Sequence, residues 1–259
     1  MNERFPILFV GAGPGDPELI TVKGQRALSQ ADLVLYTGSL IPPAMLQHVP
    51  TGARCVDTAS LDLEEIVAQL IAGYRSGQRV VRLHTGDPSL YSAIQEQIER
   101  LRQAEVPYQV IPGVTAGAAA AAALGQELTI PGLTQTVIYT RLAGRTPVPA
   151  AESLDRLASH GATLVIYLSV HLMESLVAQL LPAYGPDTPV AVVYRASWPD
   201  EQIIRGTLAT IHHQVEAAGI KRQALILVGR ALAPTAGGAE PSKLYDRRFG
   251  HGYRQKAAP

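Results

Sequence analysis

Three times in its first half the chain runs through a short, largely apolar stretch into a polar turn built on glycine. That repeat constrains the architecture more than any other feature. Phe5 to Val10 enters Gly11-Ala12-Gly13-Pro14-Gly15-Asp16-Pro17, Arg79 to Leu83 enters His84-Thr85-Gly86-Asp87-Pro88, and Tyr108 to Ile111 enters Pro112-Gly113-Val114-Thr115-Ala116. Apolar runs of this length suit strands buried on both faces, the habit of parallel sheets. Helical patterns lie between them: Val22 to Gln30 behind an N-capping Thr21, Leu63 to Arg75 with apolar residues at helical spacing, and Ser89 to Gln103. Leu33 to Tyr36 adds a strand. Residues 1–113 therefore read as an α/β domain whose three turns gather at one sheet edge, where open α/β sheets take ligands.

Residues 114–234 repeat the alternation with different spacing. Strands are expected at Thr136 to Tyr139, Thr163 to Leu168, Val190 to Tyr194 and Ala224 to Val228, and helices near Ala150 to Ser159, His171 to Leu181 and Leu208 to Ala217. An extra strand at Glu201 to Arg205 implies a mixed second sheet. The join falls around Gly113 to Thr134, where a small-residue helix, Ala116 to Ala123, precedes a Pro and Gly turn. Residues 235–259 turn loop-like, with Lys243, Arg247, Arg248, Arg254 and Lys256 among few large apolar side chains, and are expected to form a flexible, solvated basic tail.

Composition removes several classes of function. Lys plus Arg and Asp plus Glu both total 22, so no net positive field draws a phosphate backbone, and nucleic acid is not an expected partner. The one cysteine, Cys55, forms no intrachain disulfide or Cys cluster, which suits a reducing cytoplasm. No apolar stretch reaches the roughly 20 residues of a membrane span, so a membrane is not expected either. Of the 22 basic residues 18 are Arg and 4 Lys, and Arg is the side chain whose planar fork grips carboxylates.

The first turn superficially matches a dinucleotide-binding loop, but its chemistry differs. Asp16 stands where a third glycine belongs and would repel pyrophosphate, Pro14 and Pro17 remove donors, and Asp32 precedes the second strand instead of following it. Taken together, the three turns propose a cleft in which Asp87 accepts ligand donors and the backbone around Thr115 and Ala116 meets a flat ring. Each turn alone could equally be an ordinary one.

These turns, with Thr21-Val22-Lys23-Gly24 after the first, resemble the tetrapyrrole methyltransferase family, the corrin- and sirohaem-pathway enzymes that use S-adenosylmethionine. The likeness runs from about residue 5 to 233. Glu127-Leu128-Thr129-Ile130-Pro131, Leu133-Thr134-Gln135-Thr136, Thr140-Arg141, Gly144-Arg145-Thr146-Pro147 and Tyr194-Arg195-Ala196-Ser197-Trp198-Pro199-Asp200-Glu201 narrow it to the corrin branch that acts at C-11.

The resemblance implies two α/β domains with the cofactor cleft between them, a homodimer, and S-adenosylmethionine as methyl donor with S-adenosylhomocysteine as product. Carried over by motif, the cofactor contacts would be Pro14, Asp87, Leu90, Thr115, Ala116, Leu168, Ala196 and Ala224. Direct methyl transfer to a ring carbon needs no protein nucleophile, which accounts for the lack of a triad, and no catalytic residue or metal ligand is assigned. Tetrapyrroles carry several carboxylates, so Arg141 and Arg145, in a Gly and Pro loop, are candidates to meet them, with His84 beside the second turn. Arg82 and Arg195 are further candidates that a salt bridge would place equally well. Tyr91 and Trp198 could stack on the macrocycle or pack in the core. Methylation of another ring carbon, as in uroporphyrinogen, and a non-catalytic tetrapyrrole carrier or sensor remain the alternatives.

Overall fold

The structure, a computed structural model, describes residues 5–233 together with Ser242, Asp246, Phe249, Gly250 and residues 252–255. Most of the 235–259 tail expected to be flexible and basic thus lies outside the described residues. The chain divides into two compact units, one running up to Ala119 and taking in Arg195–Asp200, the other comprising Ala120–Tyr194 and the residues from Glu201 onward.

In the first unit the elements alternate as β1 (Ile7–Gly11), α1 (Val22–Ser29), β2 (Leu33–Tyr36), β3 (Arg54–Asp57), α2 (Leu63–Arg75), β4 (Val80–His84), α3 (Ile94–Gln103) and β5 (Tyr108–Ile111). The strands pair in the order β3-β2-β4-β1-β5, all parallel, as the doubly buried runs require. One face packs Val10, Val34, Val81 and Leu83 against Ala27 and Leu28 of α1. The other packs Phe9, Leu35 and Val80 against Ile66 and Leu70 of α2 and Ile98 and Leu101 of α3. Thr21 caps α1 as expected, accepting from Gly24 N at 3.1 Å. Asp62 and Glu65 close a capping box at the head of α2.

One local expectation needs correction, and one strand was not expected. The helix expected from Ser89 begins only at Ile94, because Tyr91 and Ala93 take left-handed backbone at φ 55° and 48° and hold the preceding residues in a turn. The edge strand β3, Arg-Cys-Val-Asp, lacks the apolar run that marks the other strands, and its pairing with β2 forms it.

The helix α4 (Ala116–Leu124) carries the chain into the second unit. There β6 (Val137–Arg141), α5 (Leu154–Ala158), β7 (Thr163–Tyr167), α6 (Met173–Tyr184), β8 (Pro189–Tyr194), β9 (Gln202–Thr207), α7 (Ile211–Ala217) and β10 (Ala224–Val228) follow. The sheet order is β6-β7-β10-β8-β9, with β6 and β7 parallel and the remaining pairs antiparallel, the mixed sheet the spacing implied. Its core holds Leu164, Ile166, Val190, Val192 and Ile226 against Leu154, Leu176, Leu180, Ile211 and Val215 of the helices.

Candidate functional site

Because β1, β4 and β5 run parallel and adjacent, the turns that follow them emerge at one edge, and there they interlock through backbone. Ala12 N donates to His84 O at 2.7 Å, Gly13 N to Gly86 O at 3.2 Å, and Gly86 N to Gly13 O at 2.7 Å. The third turn closes on the other two so tightly that a Cβ added to Gly113 would lie 2.2 Å from Gly86 O and 2.8 Å from Gly11 Cα. No side chain fits there, so the glycines bring three strand ends into van der Waals contact. Behind them Thr115 O accepts from Ala118 N and Ala119 N, both at 3.1 Å, and so starts α4. Thr115 and Ala116 therefore stand where that helix meets the second turn.

The sequence Gly-Asp-Pro occurs in the first turn and again in the second, and both aspartates do the same local work. Proline offers no N–H, so the carboxylate accepts from the next residue: Asp16 Oδ1 from Glu18 N at 2.9 Å, Asp87 Oδ1 from Ser89 N at 2.8 Å. Asp87 also takes the Ser89 hydroxyl on Oδ1 and Gly113 N, at 2.8 Å, on Oδ2. Burial works to raise its pKa, yet the Ser89 hydroxyl and the Gly113 and Ser89 amides outweigh it and hold the carboxyl below its usual range. The carboxylate expected to face ligand donors is thus a staple between the second and third turns. Leu90, half-buried, follows in the same turn, its N–H bonded to Asp87 O at 3.2 Å.

The first turn is also held from far along the chain. Trp198 Nε1 donates to Pro14 O at 2.9 Å and Asp16 N donates to Ser197 Oγ at 3.0 Å. The indole covers Gly15, where an added Cβ would fall 2.1 Å from Trp198 Cδ1. Arg195 lies over the indole ring, 4.9 Å from its centroid, and pairs with Asp200 at 2.6 Å. Ala196, 5% exposed, sits between Arg195 and Ser197, both in left-handed backbone at φ 46° and 69°. Sequence reading missed this strap. A glycine in the turn and a lone tryptophan in a distant loop give no hint that one fits the other.

Arg82 and His84 are not where a trough needs them. Alternation along β4 puts both on the face covered by α2 and α3, where they are 4% and 6% exposed. Arg82 Nε donates to Gln97 Oε1 at 3.2 Å and Nη1 to Thr58 Oγ1 at 3.1 Å, and burial lowers its pKa to about 10. His84 stacks on Phe9 with ring centroids 5.8 Å apart, and its Nε2 is buried without a partner. Burial first, then the neighbouring Arg82 charge, push its pKa down to about 3. Arg195 is likewise committed to Asp200 and the indole, whereas Tyr91 remains 45% exposed.

In the second unit, register gathers three candidates at one sheet end. Arg141 ends β6 opposite Tyr167, Ala224 begins β10 opposite Tyr194, and the pairing of Ile226 with Ile166 carries Leu168 to the level of Ala224. Leu168 is 64% exposed and in left-handed backbone at φ 55°, an unfavourable state for an apolar side chain on both counts. Arg141 Nη1 donates to Leu142 O and Thr146 O, each at 3.2 Å, and Nη2 to Pro147 O at 2.7 Å, so its first task is to shape the 142–147 loop. Arg145, exposed in that loop, has no such bonds to described residues.

Comparison with known proteins brings a family and three relatives. The profile of the Tetrapyrrole (Corrin/Porphyrin) Methylases matches residues 6–212. The chain is similar to the Precorrin-4 C(11)-methyltransferase of Pseudomonas aeruginosa, 54% identical over 248 residues that span 96% of this chain and 98% of that one. It is similar to the X-ray structure of a cobalamin biosynthetic enzyme, cobalt precorrin-4 methyltransferase, with 48% identity, a TM-score of 0.87, and 88% and 96% of the two chains covered. It is also similar to the uroporphyrin-III C-methyl transferase of Thermus thermophilus complexed with S-adenyl homocysteine, with 28% identity, a TM-score of 0.70, and coverage of 88% and 99%.

Proposed function

Since this chain belongs to the tetrapyrrole (corrin/porphyrin) methylases, we propose that it transfers the methyl group of S-adenosylmethionine to C-11 of precorrin-4, or of its cobalt-containing counterpart, in cobalamin biosynthesis. The observation that carries the ring position is the 54% identity to a C-11 methyltransferase over nearly the whole of both chains, against 28% to 31% to the solved uroporphyrin-III enzyme structures. The family resemblance read from the sequence implies a homodimer, and the single cysteine suits a reducing cytoplasm. Among the described residues no helix is long and apolar enough to cross a membrane.

The first unit suits the cofactor. Glycine turns close-packed at the ends of parallel strands bring the backbone of all three to one edge, and the only carboxylate in the second turn, Asp87, is already satisfied by three loop donors. Such a surface recognises an adenosine by amide bonding and apolar contact without placing a bare negative charge against the ligand's own carboxylate. Pro14, Asp87, Leu90, Thr115, Ala116 and Ala196 would hold it. Leu168 and Ala224 join the set by the family likeness. When bound, S-adenosylmethionine supplies an electrophilic methyl that a ring carbon accepts as the sulfide departs. The protein's contribution is orientation: the stapled turns fix the donor, and Arg145, with Arg141 shaping its loop, meets substrate carboxylates.

The test is to incubate the purified chain with methyl-labelled S-adenosylmethionine and precorrin-4, or cobalt-precorrin-4, and to map the label in the product. Label at C-11, with S-adenosylhomocysteine binding at one per chain in calorimetry, is the expected result. Label at another carbon would overturn the ring assignment, and binding without transfer would make the chain a carrier or sensor.

A further inference from the structure

We infer that Arg195–Asp200 is a latch on the first glycine turn and that Trp198 is a positioning residue for the cofactor. Its indole N–H holds the Pro14 carbonyl in the geometry the ligand meets. The inference rests on the reading above that this turn carries the cofactor, and adds how the turn is held.

Three observations carry it. The turn and the strap are joined by two bonds of opposite sense, Trp198 Nε1 to Pro14 O at 2.9 Å and Asp16 N to Ser197 Oγ at 3.0 Å, which together fix both sides of Gly15. The fit is steric as well, since the indole occupies the space where any Cβ on Gly15 would go. Arg195 and Ser197 take left-handed backbone although neither is glycine. Strain at non-glycine residues persists where the surroundings dictate it, and it turns Ser197 and Trp198 toward the turn. Trp198 N closes that bend on Arg195 O at 2.9 Å, while the Arg195 guanidinium, anchored on Asp200, covers the indole. With its N–H donated to Pro14 O and its ring between Arg195 and Gly15, Trp198 is engaged by the turn.

Trp198 is the chain's one tryptophan, so its emission reports this contact unmixed. Titrating the wild-type chain with S-adenosylhomocysteine should change that emission with the half-saturation seen by calorimetry. Trp198→Phe keeps a ring and loses the N–H, and should weaken S-adenosylhomocysteine binding about fivefold, the loss of roughly one hydrogen bond. The tetrapyrrole KM should stay within about twofold, because the latch acts through the cofactor turn. Gly15→Ala should displace the indole, red-shift its emission before any ligand is added, and weaken S-adenosylhomocysteine binding to a similar degree. Failure of the wild-type chain to bind S-adenosylhomocysteine would overturn the functional reading, and the latch with it. Equal binding by wild type and both variants, or an emission indifferent to S-adenosylhomocysteine, would overturn the latch alone. So would a raised tetrapyrrole KM at unchanged cofactor affinity.

Discussion

His84 shows how burial redirects a residue that the sequence sets beside a ligand turn. Its backbone carbonyl belongs to the site, accepting from Ala12 N, while its ring belongs to the core under α2 and α3. A ring with a pKa of about 3 is neutral at working pH. The unfolded chain takes up a proton below about pH 6.5 that the folded chain refuses, so stability is lost as pH falls from about 6.5 toward 3. Between pH 7.5 and 5 this one group should cost about 2 kcal/mol of unfolding free energy. Urea unfolding of wild type and His84→Leu across that range should show the wild type falling more steeply by that amount. Parallel curves would mean that the folded ring protonates. Arg82 is the complementary case: a guanidinium 4% exposed, bonded to the neutral groups of Gln97 and Thr58, and still protonated with a pKa of about 10. The alternation of Val80, Arg82 and His84 along a strand was open to reading. Which sheet face the helices would cover depends on pairing, which a single sequence does not display.

At the scale of elements, the loop after β6 separates two arginines that look alike in sequence. Arg141 bonds three carbonyls of residues 142–147 and so sets the loop's shape, and Arg145 projects from the loop those bonds create. Arg145→Ala should therefore raise the tetrapyrrole KM about tenfold, the effect of losing one charge-assisted contact, with unfolding and S-adenosylhomocysteine affinity unchanged. Arg141→Ala should also lower stability by about 1 kcal/mol, and Arg141→Lys should not restore it, because one ammonium does not reproduce the fork. Wild-type tetrapyrrole kinetics in Arg145→Ala would place the carboxylate contacts elsewhere. The buried strands were legible because their apolar runs need no partner to identify them. The head of α3 was not, since Tyr91 and Ala93 adopt left-handed backbone without being glycine. The strand β3 was not because only its neighbour β2 makes it one.

At the scale of the whole molecule, both sheets end in strands that show large apolar side chains: Val110 of β5 is 39% exposed, Tyr139 of β6 41% and Ile203 of β9 39%. An edge of that character invites cover. For the proposed homodimer, light scattering should return twice the 27.6 kDa of one chain, and a value near 27.6 kDa at micromolar concentration would contradict it. The convergence of the three turns could be read in advance because a parallel sheet sends every strand end to one side. The partnership of Gly15 with Trp198 could not, because 183 positions separate them and only the finished fold brings them together. That separation also gives the chain a timetable. A ribosome completes all five strands of the parallel sheet, and most of the second unit, before it adds Trp198. The sheet made first is therefore finished late. During synthesis Gly15 is bare and the Pro14 carbonyl is open to water, and the nascent protein acquires its latched turn only after β8 has left the ribosome.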